Sequence, residues 1–188
     1  MSDTPDTDAQ SSAARPRVLI VQPNRSYLAV LARRIAEGGY RISTADTAQR
    51  AMAELHRQSV DLVLSELRMP GSGGVELVRM IREDPAHCDL PVFLITGKTD
   101  AEGAVLAYRC GADAVIAKPF HFEVLVARIG RELERARALM KLRDDNAALD
   151  ARVVGRAIAL SDMRERWLAA ETERLRLAEV VSNTAHPE

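Results

Sequence analysis

The stretch Asp61-Leu62-Val63-Leu64-Ser65-Glu66-Leu67-Arg68-Met69-Pro70-Gly71-Ser72-Gly73-Gly74 decides the fold of this chain. Leu62 to Leu64 form an unbroken apolar run, the pattern of a strand buried on both faces of a parallel sheet. The proline and glycines that follow supply turn chemistry, so Glu66 falls at the carboxyl end of that strand. Similar runs recur on either side. Val18-Leu19-Ile20-Val21 lies upstream, and Tyr40 to Thr44 reads as a strand between the two. Val92-Phe93-Leu94-Ile95 opens after Pro91, and Ala114 to Ala117 closes the series.

Helical patterns fill the intervals. Asn24 caps a helix to Glu37 with Leu28, Leu31 and Ile35 on one face, and Gly38-Gly39 stops it. Asp46 or Thr47 caps a second helix to Gln58 that turns Ala51, Met52 and Leu55 inward. A third, Val75 to Arg82, presents Leu77, Val78 and Ile81. A fourth spans about Asp100 to Cys110, with Gly111 as its stop, and Phe122, Val126, Ile129 and Leu133 mark the last. Strands separated by helices of this length require right-handed crossovers. The fold class is therefore α/β: a five-stranded, doubly wound parallel sheet with helices on both faces, occupying residues 17–137.

What flanks that domain differs in character. Residues 1–16 are polar, rich in Asp, Ser and Thr, and lack the apolar segment of a signal peptide, so they read as a disordered leader. From Leu139 the pattern becomes a heptad repeat. Its a positions are Leu139, Asn146, Val153, Leu160, Trp167, Arg174 and Val181; its d positions are Leu142, Leu149, Arg156, Met163, Ala170 and Leu177. All but Asn146, Arg156 and Arg174 are apolar over about six heptads, beyond the three or four that identify a coiled coil. Residues 138–181 are expected to form a coiled-coil helix continuous with the last helix of the domain, and 182–188 a polar tail. One helix cannot bury such a seam alone. Asn146 at an a position suits a parallel homodimer, as does Arg166 (g) opposite Glu171 (e) of the other chain, whereas Asp145 and Asp150 repel. A bulky Trp167 and two arginines in the seam point to modest strength.

Composition removes several function classes. With 26 Lys and Arg against 27 Asp and Glu the net charge is -1, which offers no basic footprint and makes nucleic acid an improbable partner. No apolar run approaches the roughly 18 residues of a membrane helix. Cys88 and Cys110 are too few for a disulfide framework, so a reducing cytoplasm is the expected location. His56, His87, His121 and His186 are scattered and are assigned no catalytic or metal role. Gly71-Ser72-Gly73-Gly74 lacks the Lys-Ser/Thr of a phosphate loop and reads as a turn.

Ligands of a doubly wound sheet bind beyond the carboxyl ends of its strands. The residues there are Gln22-Pro23-Asn24, Ser65-Glu66, Thr96-Gly97 and Lys118-Pro119-Phe120. A carboxylate, a hydroxyl and an ammonium thus converge on one edge. With Val18 to Val21, Asp61 to Gly71, Phe93 to Gly97 and Gly111 to Phe120 in this order, the chain resembles the receiver domains of two-component response regulators over about residues 17–137. The resemblance implies the flavodoxin-like receiver fold. It also implies phosphoryl transfer from a histidine kinase to an aspartate ending the third strand, with Mg²⁺ held by that aspartate and an acidic pair after the first. A Thr or Ser and a Lys bind the phosphoryl oxygens in that family. Its partner-binding face, made by the fourth helix, fifth strand and fifth helix, corresponds to Asp100 to Cys110 and Phe120 to Arg135.

Thr96 and Lys118 match the family pattern; three other positions depart from it. The acceptor position holds Glu66, the acidic pair falls on Gln22 and Pro23, and the switch aromatic aligns with Val115. Mg²⁺ requires hard anionic oxygens, and Gln22 and Pro23 supply none. A carboxylate one methylene longer also misplaces the attacking oxygen. Ser65 is no substitute, because it points to the opposite face of the strand. The sequence therefore predicts weak or absent Mg²⁺ binding, no cofactor, no enzymatic activity and no ordinary phosphorylation. Glu66 either mimics the phosphorylated state or pairs with Lys118 in a frozen pocket. The expected function is that of a pseudo-receiver adaptor or scaffold, dimeric through its coiled coil and bound to a protein partner, a histidine kinase or an output protein. The alternatives are a phosphorylatable response regulator with unusual site residues, a degenerate RNA-binding antiterminator-type regulator, and a fragment of a larger sensor. For the second of these, Ala148 to Val154 offers only a faint echo.

Overall fold

The computed structural model describes residues 15–71 and 73–184, with side chains described as far as residue 178. Most of the predicted leader, Ser72, the side chain of Val181 and residues 185–188 lie outside these. Arg15 and Pro16 do not: their carbonyls accept from the Arg41 guanidinium (3.0 Å) and the Arg41 backbone N–H (2.9 Å). The last two residues assigned to the leader are thus tied to the edge of the sheet.

The elements run β1 (Arg17–Val21), α1 (Arg25–Glu37), β2 (Arg41–Ala45), α2 (Ala48–Arg57), β3 (Leu62–Glu66), α3 (Gly74–Glu83), β4 (Val92–Thr96), α4 (Ala101–Arg109), β5 (Ala114–Ala117) and α5 (Phe122–Thr184). All strand pairs are parallel, in the order β2-β1-β3-β4-β5. The order reverses between β1 and β3, and Val21 stands beside Ser65 at that switch point.

Alternation along the strands splits the core into two layers. Val18, Ile20, Leu62, Leu64, Phe93 and Ile95 pack under α1 and the start of α5, against Leu31, Ile35, Leu125 and Ile129. Leu19, Val21, Val63 and Leu94 pack under α2, α3 and α4, against Leu55, Leu77, Ile81 and Ala107. The central strands are buried on both sides, which is why they read as continuous apolar runs.

Local chemistry sets the helix ends. Asn24 Oδ1 accepts the Tyr27 N–H (2.9 Å), and Asp100 Oδ1 accepts the Gly103 N–H (3.0 Å). Between the two possible caps of α2 it is Thr47 whose Oγ1 accepts the Arg50 N–H. Gly111, at φ +96°, occupies the left-handed region after α4 that a side chain rarely adopts. Gly74 serves a different purpose: a Cβ there would lie 2.5 Å from the Glu66 carbonyl oxygen, so glycine lets α3 begin directly against the end of β3.

The chain divides into two compact units between Arg137 and Ala138. In the second, the heptad side chains are exposed: Leu139, Leu142, Leu149, Val153, Leu160, Met163, Trp167 and Leu177 all present about half or more of their surface to solvent. Asn146 is exposed as well. Met140, Val154, Leu168 and Leu175 add a second apolar ladder, one position beyond the a residues Leu139, Val153, Trp167 and Arg174. Glu171, placed by the heptad opposite Arg166 of a second chain, pairs within its own helix with Arg174 (2.8 Å). Among the described residues no helix is long and apolar enough to cross a membrane.

Candidate functional site

Gln22 and Glu66 continue the alternation of Val18/Ile20 and Leu62/Leu64, so their side chains meet at the switch point between β1 and β3. Gln22 is buried. Its Nε2 donates to Glu66 Oε2 (2.8 Å), while its Oε1 accepts the Asn24 backbone N–H (3.0 Å). Lys118, immediately after β5, brings its ammonium to the same carboxylate oxygen at 2.6 Å. One oxygen of Glu66 therefore receives both an amide donor and a charge-assisted hydrogen bond. The Lys118 Nζ also lies 4.5 Å from the centre of the Tyr27 ring, on its face. Burial, followed by the nearby Glu66 charge, pushes the Tyr27 hydroxyl above its ordinary pKa.

Thr96 ends β4 and is buried. Its Oγ1 makes a long contact to the Gly97 carbonyl (3.4 Å). It also contributes a hydrogen bond that holds down the pKa of Asp100. The dominant partner of Asp100 is Arg68, whose guanidinium meets both carboxylate oxygens, Nε to Oδ2 at 2.7 Å and Nη2 to Oδ1 at 2.8 Å. This fork, with help from the Gly103 N–H, lowers the Asp100 pKa to about 2. It ties the loop after β3 to the start of α4.

The remaining positions do not join this group. Pro23 is half-buried and carries no donor or anionic acceptor. Val115 packs against the α2–α4 core layer, and its N–H donates to the Tyr108 hydroxyl (3.1 Å). Ser65 is fully buried, with its Oγ 3.1 Å from the Glu66 carbonyl and 3.9 Å from Met69 Sδ. Asp46, at the same edge after β2, is engaged with Arg50 (2.5 Å). As a cation site the central cluster is poorly suited. Its carboxylate already faces an ammonium, and the neighbouring amide turns its N–H side towards it, so the donor set does not fit Mg²⁺.

Tyr27 and Asp100 are the participants that reading the strand ends did not single out. Asp100 was legible only as the start of a helix. Tyr27 carried no signal, because an aromatic in the first turn of a helix reads as packing.

The model for the response regulator receiver domain matches residues 18–130. The chain belongs to that family. It is 32% identical over 159 residues to the C4-dicarboxylate transport transcriptional regulatory protein DctD of Pseudomonas aeruginosa, covering 81% of this chain and 34% of that protein. It is 31% identical over 118 residues to the phosphate regulon transcriptional regulatory protein PhoB of the same organism, covering 63% and 52%. The crystal structure of a response regulator receiver protein from Pseudomonas putida superposes with a TM-score of 0.59 at 31% identity, over 63% of this chain and 98% of that one. This receiver chain thus spans about a third to a half of the length of those two curated relatives.

Proposed function

We propose that this receiver works without phosphorylation, as a non-enzymatic signalling adaptor that dimerises through a parallel coiled coil and binds a protein of its pathway. The single observation that carries the reading is the closed trio at the phosphoacceptor position. Glu66 Oε2 is held by Lys118 at 2.6 Å and by Gln22 at 2.8 Å. In a working receiver the lysine and the metal must be available to an incoming phosphoryl group. Here the lysine is engaged, and the residue after β1 contributes an amide donor in place of an anion. A phosphodonor entering this edge would lose the charge neutralisation on which phosphoryl transfer depends. Pairing of Glu66 with Lys118 supports a pocket held in one state, and Mg²⁺ binding is expected to be weak or absent.

The partner, a histidine kinase or an output protein, is expected on the surface of α4 and β5, where Val105, Leu106 and Tyr108 are exposed. Intact-mass measurement after incubation with a small phosphodonor and Mg²⁺, beside an ordinary receiver as control, tests the reading. No adduct is expected. A stoichiometric, metal-dependent adduct would overturn it and make the chain a kinase target.

A further inference from the structure

At the opposite edge of the sheet, beyond the amino ends of the strands, the fold assembles a cluster that sequence spacing hides. His56 lies in the last turn of α2, Asp84 caps the end of α3, and His87 follows in the loop before β4. Asp84 Oδ2 is 3.1 Å from His56 Nε2 and 2.8 Å from His87 Nδ1. One ligating atom from each of the three residues lies within 4.8 Å of the other two. The two imidazoles meet edge to face, with ring centres 5.3 Å apart.

We propose that His56, Asp84 and His87 form a binding site for a divalent transition-metal cation of the zinc class, clasping the carboxyl ends of α2 and α3. Two imidazoles and a carboxylate are a donor set for such cations, unlike the all-oxygen sets that Mg²⁺ prefers. Ligand atoms about 2.0–2.1 Å from zinc stand roughly 3.3 Å apart in a tetrahedron, and the two distances from Asp84 Oδ2, 3.1 and 2.8 Å, lie within about half an ångström of that spacing.

The surroundings prepare these atoms. His56 Nδ1 sits 2.9 Å from the Met52 carbonyl, an acceptor, so in the neutral ring the proton resides on Nδ1. That leaves the Nε2 lone pair facing the lone pairs of Asp84 Oδ2, a contact that only a cation or an added proton makes favourable. A carbonyl behind a metal-binding imidazole fixes the ring in this same way. The other carboxylate oxygen, Asp84 Oδ1, accepts the Ala86 N–H (3.0 Å). Arg82 holds the loop beyond His87 through the carbonyls of Cys88 (2.9 Å) and Leu90 (2.8 Å). Both ligands of this loop are therefore held in place by neighbouring groups. The site is partly open: His56 is exposed, and Asp84 and His87 are half-buried. An incoming ion can reach it and keep a water or a further ligand.

The test uses the whole 188-residue chain, reduced and stripped with a chelator, titrated with Zn²⁺ against a chromophoric zinc chelator. One saturable site per chain is expected. His56→Gln and His87→Gln should each weaken it at least about tenfold. His56 lies at an exposed helix end, so its replacement leaves the core intact, and circular dichroism of the variant checks this. Zn²⁺ should raise the thermal midpoint of the unaltered chain but not that of His56→Gln. Cys88, exposed and next to His87, is the competing ligand; Cys88→Ser should bind as the unaltered chain does. Absence of saturable binding overturns the proposal. So does unchanged affinity in His56→Gln, or loss of binding in Cys88→Ser alone.

Discussion

Two segments of one helix behave in opposite ways. Between Leu125 and Leu133, α5 turns Leu125, Ile129 and Leu133 into the layer built by α1 and the sheet, where they are almost inaccessible. From Leu139 onward the same helix carries as many large apolar residues, and they face solvent: Leu160 and Met163 are each 66% exposed. Neither helix propensity nor apolar spacing separates the segments. What differs is whether this chain supplies a surface to cover them. Burial of a large aliphatic side chain is worth about 1.5–3 kcal/mol, so a seam of this length represents a large unsatisfied tendency to associate. The second ladder through Met140, Val154, Leu168 and Leu175 widens it beyond the narrow stripe of a two-stranded coil.

The hardest way to strain this comparison is to charge the seam. Leu149→Arg combined with Leu160→Arg should convert the proposed dimer to a monomer in sedimentation equilibrium, while the receiver unit keeps its fold. If the unaltered chain is itself monomeric at the same concentrations, the seam is a solvated face and the contrast loses its meaning.

A smaller and more local probe applies one kind of truncation to both segments. Ile129→Ala should lower unfolding stability by about 2–5 kcal/mol, independently of protein concentration. Leu160→Ala should leave the receiver transition in place and weaken only the concentration-dependent step. Equal effects at the two sites, or a concentration-dependent loss at Ile129, would erase the distinction.

The sheet was legible because its strands announce themselves. Val18–Val21, Leu62–Leu64 and Val92–Ile95 are buried on both faces, and double burial leaves an unbroken apolar run. The strand-end residues Glu66, Thr96 and Lys118 followed from topology, since parallel strands bring their carboxyl ends to one edge. Partners across that edge were harder to read. Lys118 reaches Glu66, but Thr96 hydrogen-bonds to Asp100, and Arg68 completes that contact from the loop after β3. No periodicity encodes such a pairing, because each side chain comes from a different crossover. The same applies to His56, Asp84 and His87, which the antiparallel return of α2 and α3 to one edge unites although their spacing matches no ligand motif.

Acid separates the two units most finely. Asp100 titrates near 2 in the fold against an ordinary 3.8, because the Arg68 fork binds the ionised form. A depressed folded-state pKa gives stability that is complete above the unfolded value and is lost as pH falls through the folded one. The contribution of the Arg68–Asp100 pair should therefore be constant above about pH 4 and disappear between about pH 4 and 2. Asp100→Asn removes it at every pH, so the difference between the unaltered chain and the variant should shrink across that window and vanish at its lower end. The effect is small, since Arg68 is largely exposed and solvent screens the pair. Its location can be read directly. Trp167 is the only tryptophan and lies in the heptad segment, whereas Tyr27, Tyr40 and Tyr108 lie in the receiver. The shrinking difference should be seen in the tyrosine signal and be absent from tryptophan fluorescence. A difference that persists unchanged at pH 2, or one that tryptophan also reports, would mean that the pair does not titrate as a receiver contact or that the two units unfold as one.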